Sequence, residues 1–345
     1  MSTLKVDAIR HNSATSDAIT TSSDGTCAAK ITSINDGALS NRNLLHNSSF
    51  EVWQRGTTSA SAASGGNRCT ADRWSVPNRT RVAQSTDVPA GFKYAILLDR
   101  EQTGGSEPFT LHQGIEKDNI RQTGSYTLSF YAKSSDINSV NINVQDRTTV
   151  AEGGTNHSSI VTNQAVTITS SWARYTYTFT LSNASLTGTC LRISIGNTSA
   201  NQNDELLLTG IQLETGTIAT DIEKRTLGHE LTLCYRYYYR MNGDNNKTYM
   251  IGMSDNDNQN IYGFFHFPVP MRTAPTYIEQ NGTAGHYKVR RDTTKSCTGV
   301  PTFTDAMPFY CRVNFPSSGH GWGTGQMLWC QGGSSSSYLG FDAEL

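Results

Sequence analysis

The chain is short of charge. Only 17% of its 345 residues are Asp, Glu, Lys or Arg, against about 25% in an average domain. The 28 basic residues nearly cancel the 29 acidic ones, leaving a formal net charge of -1. That balance excludes disorder sustained by charge, and it leaves no global attraction to nucleic acid or to an anionic membrane. No apolar run approaches the roughly 18 residues of a membrane helix, which argues against membrane insertion. Residues Met1–Asp7 lack the apolar core of a secretory signal, so the chain is predicted to fold in a cytosol. The seven cysteines, Cys27, Cys69, Cys190, Cys234, Cys297, Cys311 and Cys330, are odd in number, widely spaced and without a C-x-x-C. They read as free, mostly buried thiols, with a zinc site a distant second.

Catalytic and cofactor motifs are equally scarce. His229-Glu230 opens like a zincin helix, but position 233, where the second ligand belongs, is Leu233. The glycine-rich Gly319–Gly325 has neither dinucleotide spacing nor the Gly-Lys-Ser/Thr of a phosphate loop, and no G-x-S-x-G elbow occurs. Ser254–Asn260 resembles half a calcium loop and lacks its central Gly and closing Glu. The basic run His286–Arg291 reads as a solvated strand edge. No pair of carboxylates stands out as a glycosidase pair.

What the sequence does contain is β structure. Gly (30 residues), Ser, Thr and Asn fill the charge deficit beside 15 Tyr, 12 Phe and 5 Trp. Tyr126, Leu128 and Phe130 alternate with Thr127, Ser129 and Tyr131; Val140, Ile142 and Val144 share a face, as do Tyr175, Tyr177, Phe179 and Leu181. Period-two alternation with short polar turns predicts an all-β chain built on an antiparallel sandwich or jelly roll. Four parts are expected. Residues 1–40 hold too few apolar side chains for a core of their own and form an attachment or oligomerisation segment. Residues 41–224 form the jelly roll. Residues 225–240, with Leu227, Leu231, Cys234 and Tyr238 at helical spacing, form a connector helix. Residues 241–345, broken by Pro268, Pro270, Pro275, Pro301, Pro308 and Pro316, form a smaller β domain.

Trp53, Trp74, Tyr131, Trp172, Trp322 and Trp329 lie among Asn, Gln, Arg and Ser. Aromatic faces flanked by amides and guanidinium groups suit sugar rings, although a core place is the commoner fate of each Trp. Trp53 and Trp74 are expected in the core. In the C-terminal domain the ligand-binding candidates are Trp322 in its glycine-rich loop, His320, Trp329 and Tyr338. Trp329 also reads as a buried strand residue, which favours Trp322.

Three stretches carry a family resemblance. Asn43–Gly56, Thr70–Trp74 and the closing Gly210–Glu214 resemble the jelly rolls of carbohydrate-binding modules of the galactose-binding-like type. Together with Leu233–Tyr239, Met1–Ile9 and Asp342–Leu345, the chain is similar to tail-fibre and related virion proteins of marine and cyanobacterial phages. The resemblance implies a non-enzymatic virion fibre, homotrimeric, attached through residues 1–40 to the phage tail or an adaptor and presenting β domains to a host-surface polysaccharide. Two alternatives stay open: a capsid-decorating structural fibre and a glycan depolymerase. The resemblance also implies a structural calcium held by Glu51 and Glu214, and no other cofactor.

Overall fold

The computed structural model describes residues 8–9, 19–23, 27–29, 40–59, 68–69, 71–76, 80–100, 109–120, 123–150, 155–182, 186–197, 201–255, 259–319 and 321–344. Within the first 40 residues, β1 (Ala8–Ile9), β2 (Ile19–Thr21) and β3 (Cys27–Ala29) form a small antiparallel sheet. The remainder of the expected attachment segment lies outside the described residues.

The next twelve strands build a two-sheet sandwich. They are β4 (Thr58–Ser59), β5 (Arg68–Cys69), β6 (Ser75–Val76), β7 (Thr80–Ser85), β8 (Ala95–Arg100), β9 (Phe109–Glu116), β10 (Gly124–Lys133), β11 (Ser139–Arg147), β12 (Asn156–Thr167), β13 (Ala173–Leu181), β14 (Cys190–Asn197) and β15 (Glu205–Thr215). One sheet runs β13-β10-β15-β8-β7-β4 and the other β12-β11-β14-β9-β6-β5. The alternation read from sequence sets both inner faces. Leu128 lies between Tyr177 and Leu213 in register, and Ile142 beside Ile195, itself opposite Leu111. These side chains share one core with Leu45, Phe50 and Trp74. Trp74 is 1% exposed, as expected; its indole N–H donates to the Asn47 carbonyl at 3.0 Å, and its ring lies 5.5 Å from that of Phe50. Trp53 is partly buried against the same core. Among the described residues the protein is all-β but for one α-helix and short 3-10 turns, and this sandwich is its jelly roll.

That helix, α1 (Leu227–Tyr235), is shorter than the 225–240 expected. Thr226 caps it by accepting from the His229 N–H. Beyond Tyr235 two buried tyrosines are held by arginines of the jelly roll. Tyr237 lies beneath the Arg73 guanidinium and Tyr238 beneath that of Arg55, each 3.3 Å from the ring centre. Tyr238 already belongs to β16 (Tyr238–Asn242). There it pairs with Asp342, and the extended backbone of that pairing replaces the helical spacing.

Beyond it lie β17 (Thr248–Ser254), β18 (Asn260–His266), β19 (Ile278–Glu279), β20 (Tyr287–Arg290), β21 (Thr294–Ser296), β22 (Thr302–Ala306), β23 (Tyr310–Pro316), β24 (Met327–Gly332) and β25 (Tyr338–Asp342). They form a three-stranded sheet, β16-β25-β19, and a seven-stranded sheet, β21-β20-β24-β17-β18-β23-β22. A second core, including Phe265, Tyr287, Phe315, Leu328 and Phe341, lies beneath them. The junction with the jelly roll is ionic as well as aromatic. Arg73 pairs with Glu344, Arg55 with Asp342 at 2.5 Å, and Arg236 with Glu116 at 2.9 Å.

Candidate functional site

The C-terminal candidates do not converge. Trp322 is 7% exposed and packs in the second core, its indole N–H donating to Asp292 at 3.0 Å. The glycine-rich loop was expected to hold this ring out to solvent; instead the Asp292 acceptor satisfies the one polar atom of the indole and lets the ring be buried. Trp329 shows the reverse. It was read as a buried strand residue and is 46% exposed, because β24 alternates and buries Leu328 and Cys330. Tyr338 is half-buried in β25, with the Arg240 guanidinium 3.6 Å above its ring. His320 lies outside the described residues.

The two carboxylates expected to hold calcium have different surroundings. Glu214 is buried and accepts from Gln212 Nε2 at 2.7 Å, from the Thr220 N–H at 2.9 Å and from the Thr220 hydroxyl at 2.7 Å. Both its oxygens are thus engaged by neutral donors, whereas Glu51 is exposed. Among the described residues no group of three or more His, Cys, Asp and Glu side chains is placed to hold a metal ion. Cys190, Cys234, Cys297, Cys311 and Cys330 are buried and free. Burial pushes Cys190 up to about 11 and Cys297 and Cys311 up to about 12, so these thiols are poor nucleophiles at neutral pH.

Aromatic and polar groups do meet on the jelly roll. Tyr131 of β10 stands opposite Arg174 of β13, and continuing that register puts Trp172 opposite Lys133. Asp87 holds the latter two together, accepting from the Trp172 indole N–H at 2.8 Å and from Lys133 Nζ at 2.6 Å. Those two hydrogen bonds hold the Asp87 carboxyl below the usual carboxylate range. The Phe92 ring tilts against Tyr131 at 5.2 Å. Gly210 makes this approach feasible: its φ of +57° lies in the left-handed region, and a Cβ there would sit 2.6 Å from the Phe92 ring. Arg174 donates through one terminal nitrogen to Ser129 Oγ at 2.9 Å, while its Nε is buried without a partner.

The strand ends beside this platform frame a polar depression of about 560 Å³, lined among others by Ser134, Asp136, Asn138, Thr169, Asn197 and Asp204. Ser134 directly follows Lys133, and Ser170 stands two residues before Trp172. The arrangement offers ring faces on one side and a dense set of hydroxyl, amide and carboxylate groups on the other. A second recess, between Phe92, Glu51, Lys224 and Glu230, measures about 130 Å³, below the ~300 Å³ at which small-molecule pockets begin. The outer face of the other sheet is polar, with Asn141, Asn143, Arg192, Ser194 and a buried His112 hydrogen-bonded to Ser194 and Thr110. Among its described strand side chains there is no Trp or Tyr. Of the rings on the jelly roll, Tyr131 and Trp172 were visible in the sequence as aromatics among polar residues. Phe92, Asp87 and Gly210 carry no local signal, since only the folded loop brings them there.

Residues 42–201 match the family model described as a carbohydrate binding domain. No curated protein matches the chain. Among solved structures, it is similar to the CBM22-1 xylan-binding domain of Xyn10C from Paenibacillus barcinonensis, at 16% identity over 55% of this chain and 100% of that one, with a TM-score of 0.34. It is similar to the C-terminal family 22 carbohydrate binding module of Clostridium thermocellum Xyn10B at 9% identity, covering 44% and 91% of the two chains, with a TM-score of 0.32. It also resembles the enzymatically active domain of tailspike protein 4 of bacteriophage CBA120 at 14% identity, covering 51% and 21%, with a TM-score of 0.34.

Proposed function

We propose that the protein binds a glycan chain non-catalytically, through the jelly-roll face formed by Trp172, Tyr131 and Arg174 and the polar depression beside it. The observation that carries this reading is the match of residues 42–201 to the carbohydrate binding domain family. The site's chemistry supports it. Sugar C–H faces stack on aromatic rings while their hydroxyls seek oriented donors and acceptors. The platform is open, which suits a polymer lying across it better than an enclosed metabolite. The test is migration of the protein in native gels containing a panel of polysaccharides. Retardation by one or more is expected, and Trp172→Ala should weaken it roughly tenfold, or about 1.4 kcal/mol. Unretarded migration in every polysaccharide, or undiminished retardation of a folded Trp172→Ala variant, removes this site.

The finer reading is a phage virion fibre present in several copies that carries this site to a host-surface polysaccharide. It is supported by the likeness of Met1–Ile9, Leu233–Tyr239 and Asp342–Leu345 to virion proteins. Removal of residues 1–40 should then yield particles without the protein while the remainder stays soluble.

A further inference from the structure

The seven-stranded sheet exposes an apolar face that nothing in the chain covers among the described residues. Its fourth and central strand, β17, turns Ile251 and Met253 outward, each 53% exposed. On β24, Trp329 stands opposite Ile251 and Met327 opposite Met253, at 46% and 64% exposure. On β18, Tyr262 stands opposite Met253, and Phe264, 57% exposed, follows in the same register beside Ile251. Flanking this centre, Arg290 of β20 is the partner of Trp329, and Arg312 of β23 is the partner of Phe264. One row across the sheet therefore reads Arg290, Trp329, Ile251, Phe264, Arg312: cation, aromatic, aliphatic, aromatic, cation. Beyond Arg312, β22 brings Asp305 into register with it.

We propose that this face packs against the same face of a second copy of the chain. The area fits. At about 200 Å² for each large side chain, the exposure of Ile251, Met253, Phe264, Met327 and Trp329 amounts to about 550 Å² of apolar surface. A standard interface buries about 800 Å² per partner, of which about 56–65% is apolar, or about 450–520 Å². The anatomy also fits, with an apolar centre and charges confined to the rim. The sequence of side chains is the same from either edge inward. A copy turned about an axis along β17 lays aromatic over aromatic and aliphatic over aliphatic, the self-complementarity of an isologous contact. In that arrangement Arg290 of one copy meets the Arg312 and Asp305 rim of the other, where the carboxylate offsets the second cation. A strongly charged partner would find no opposing charge at the centre. A sugar would find few hydrogen-bonding groups there.

Cysteine cross-linking of the full chain tests the contact. Met253→Cys, on the central strand near the axis, should form a disulfide-linked pair of chains under mild oxidation. The yield should be at least roughly tenfold above that of Leu227→Cys, a control site that is 53% exposed on α1. Cys190, Cys234, Cys297, Cys311 and Cys330 are buried, and the parent chain oxidised in parallel gives the background of the rest. Adding Met327→Glu to Met253→Cys should return the yield to the control level. No linked pair from Met253→Cys, a yield equal to that of Leu227→Cys, or a yield unaffected by Met327→Glu each overturns the proposal. The contact is independent of the glycan reading, because its residues lie on another sheet.

Discussion

Arg73 is the side chain on which the junction between the two cores turns, and replacing it by Ala is the most informative perturbation. Its side chain is 1% exposed and three groups depend on it. It pairs with Glu344, donates to the Gly114 carbonyl at 2.6 Å and stacks 3.3 Å from the centre of the Tyr237 ring. Removing one member of a buried ion pair costs about 3–5 kcal/mol, because the partner charge stays behind. At about 2–4 °C per kcal/mol for domains of this size, Arg73→Ala should lower the melting temperature by about 6–20 °C. Arg73→Lys should fall between, since an ammonium keeps the charge near Glu344 but loses the planar stack and the fork of donors. Calorimetry is the assay, because it also reports cooperativity. With the junction cut, the jelly-roll core and the C-terminal core should separate into two transitions. A single transition within about 2 °C of the parent, worth under 1 kcal/mol, would refute the idea that this arginine couples them.

Two further outcomes follow from the same geometry. Burial pushes the Asp72 carboxyl from 3.8 up to about 6, against the pull of Arg55 and the Gln54 hydrogen bonds. The folded state therefore holds this proton more tightly than the unfolded chain. The group favours folding most below pH 4 and loses that contribution as pH rises through 6, on the order of 3 kcal/mol. Asp72→Asn should remove that slope, and parallel stability curves for parent and variant between pH 4 and 7 would disprove it. Trp322→Ala should cost about 3–5 kcal/mol as a core truncation, whereas Trp329→Ala should shift stability by under about 1 kcal/mol; denaturant titration that reversed this order would place the two rings the other way round.

Much of the architecture could be read from residue order alone, for a physical reason. Alternation such as Tyr126, Leu128 and Phe130 against Thr127 and Ser129 encodes which face is buried, and the jelly roll follows it. The helix was visible at its start, where Thr226 and the spacing of Leu227, Leu231 and Cys234 are local signals. Its end was not, because Tyr237 and Tyr238 are committed by Arg73 and Arg55, more than 160 positions away. Trp322 and Trp329 exchanged their expected surroundings for similar reasons. The burial of Trp322 depends on an acceptor thirty positions away, Asp292. The exposure of Trp329 depends on which face of β24 meets the core. Glu214 lies in β15 and Glu51 outside the strands, and the hydrogen bonds from Thr220 to Glu214 leave no mark in local spacing. The site on the jelly roll was half legible. Tyr131 and Trp172 stand among polar residues, but the loop that brings Asp87 and Phe92 to them leaves no mark in the sequence.

The pairing of Arg73 with Glu344 spans 271 positions, and that of Arg55 with Asp342 spans 287. During synthesis at about 5–20 residues per second, the arginines emerge tens of seconds before their carboxylates. Once β15 has emerged the jelly roll can fold, and from then until the carboxylates follow its two guanidinium groups wait for these partners. The last strand then acts as a latch. Chains that stop short of residue 342 would lack both of these carboxylates, and the junction would keep only the contacts made earlier in the chain, such as Arg236 with Glu116.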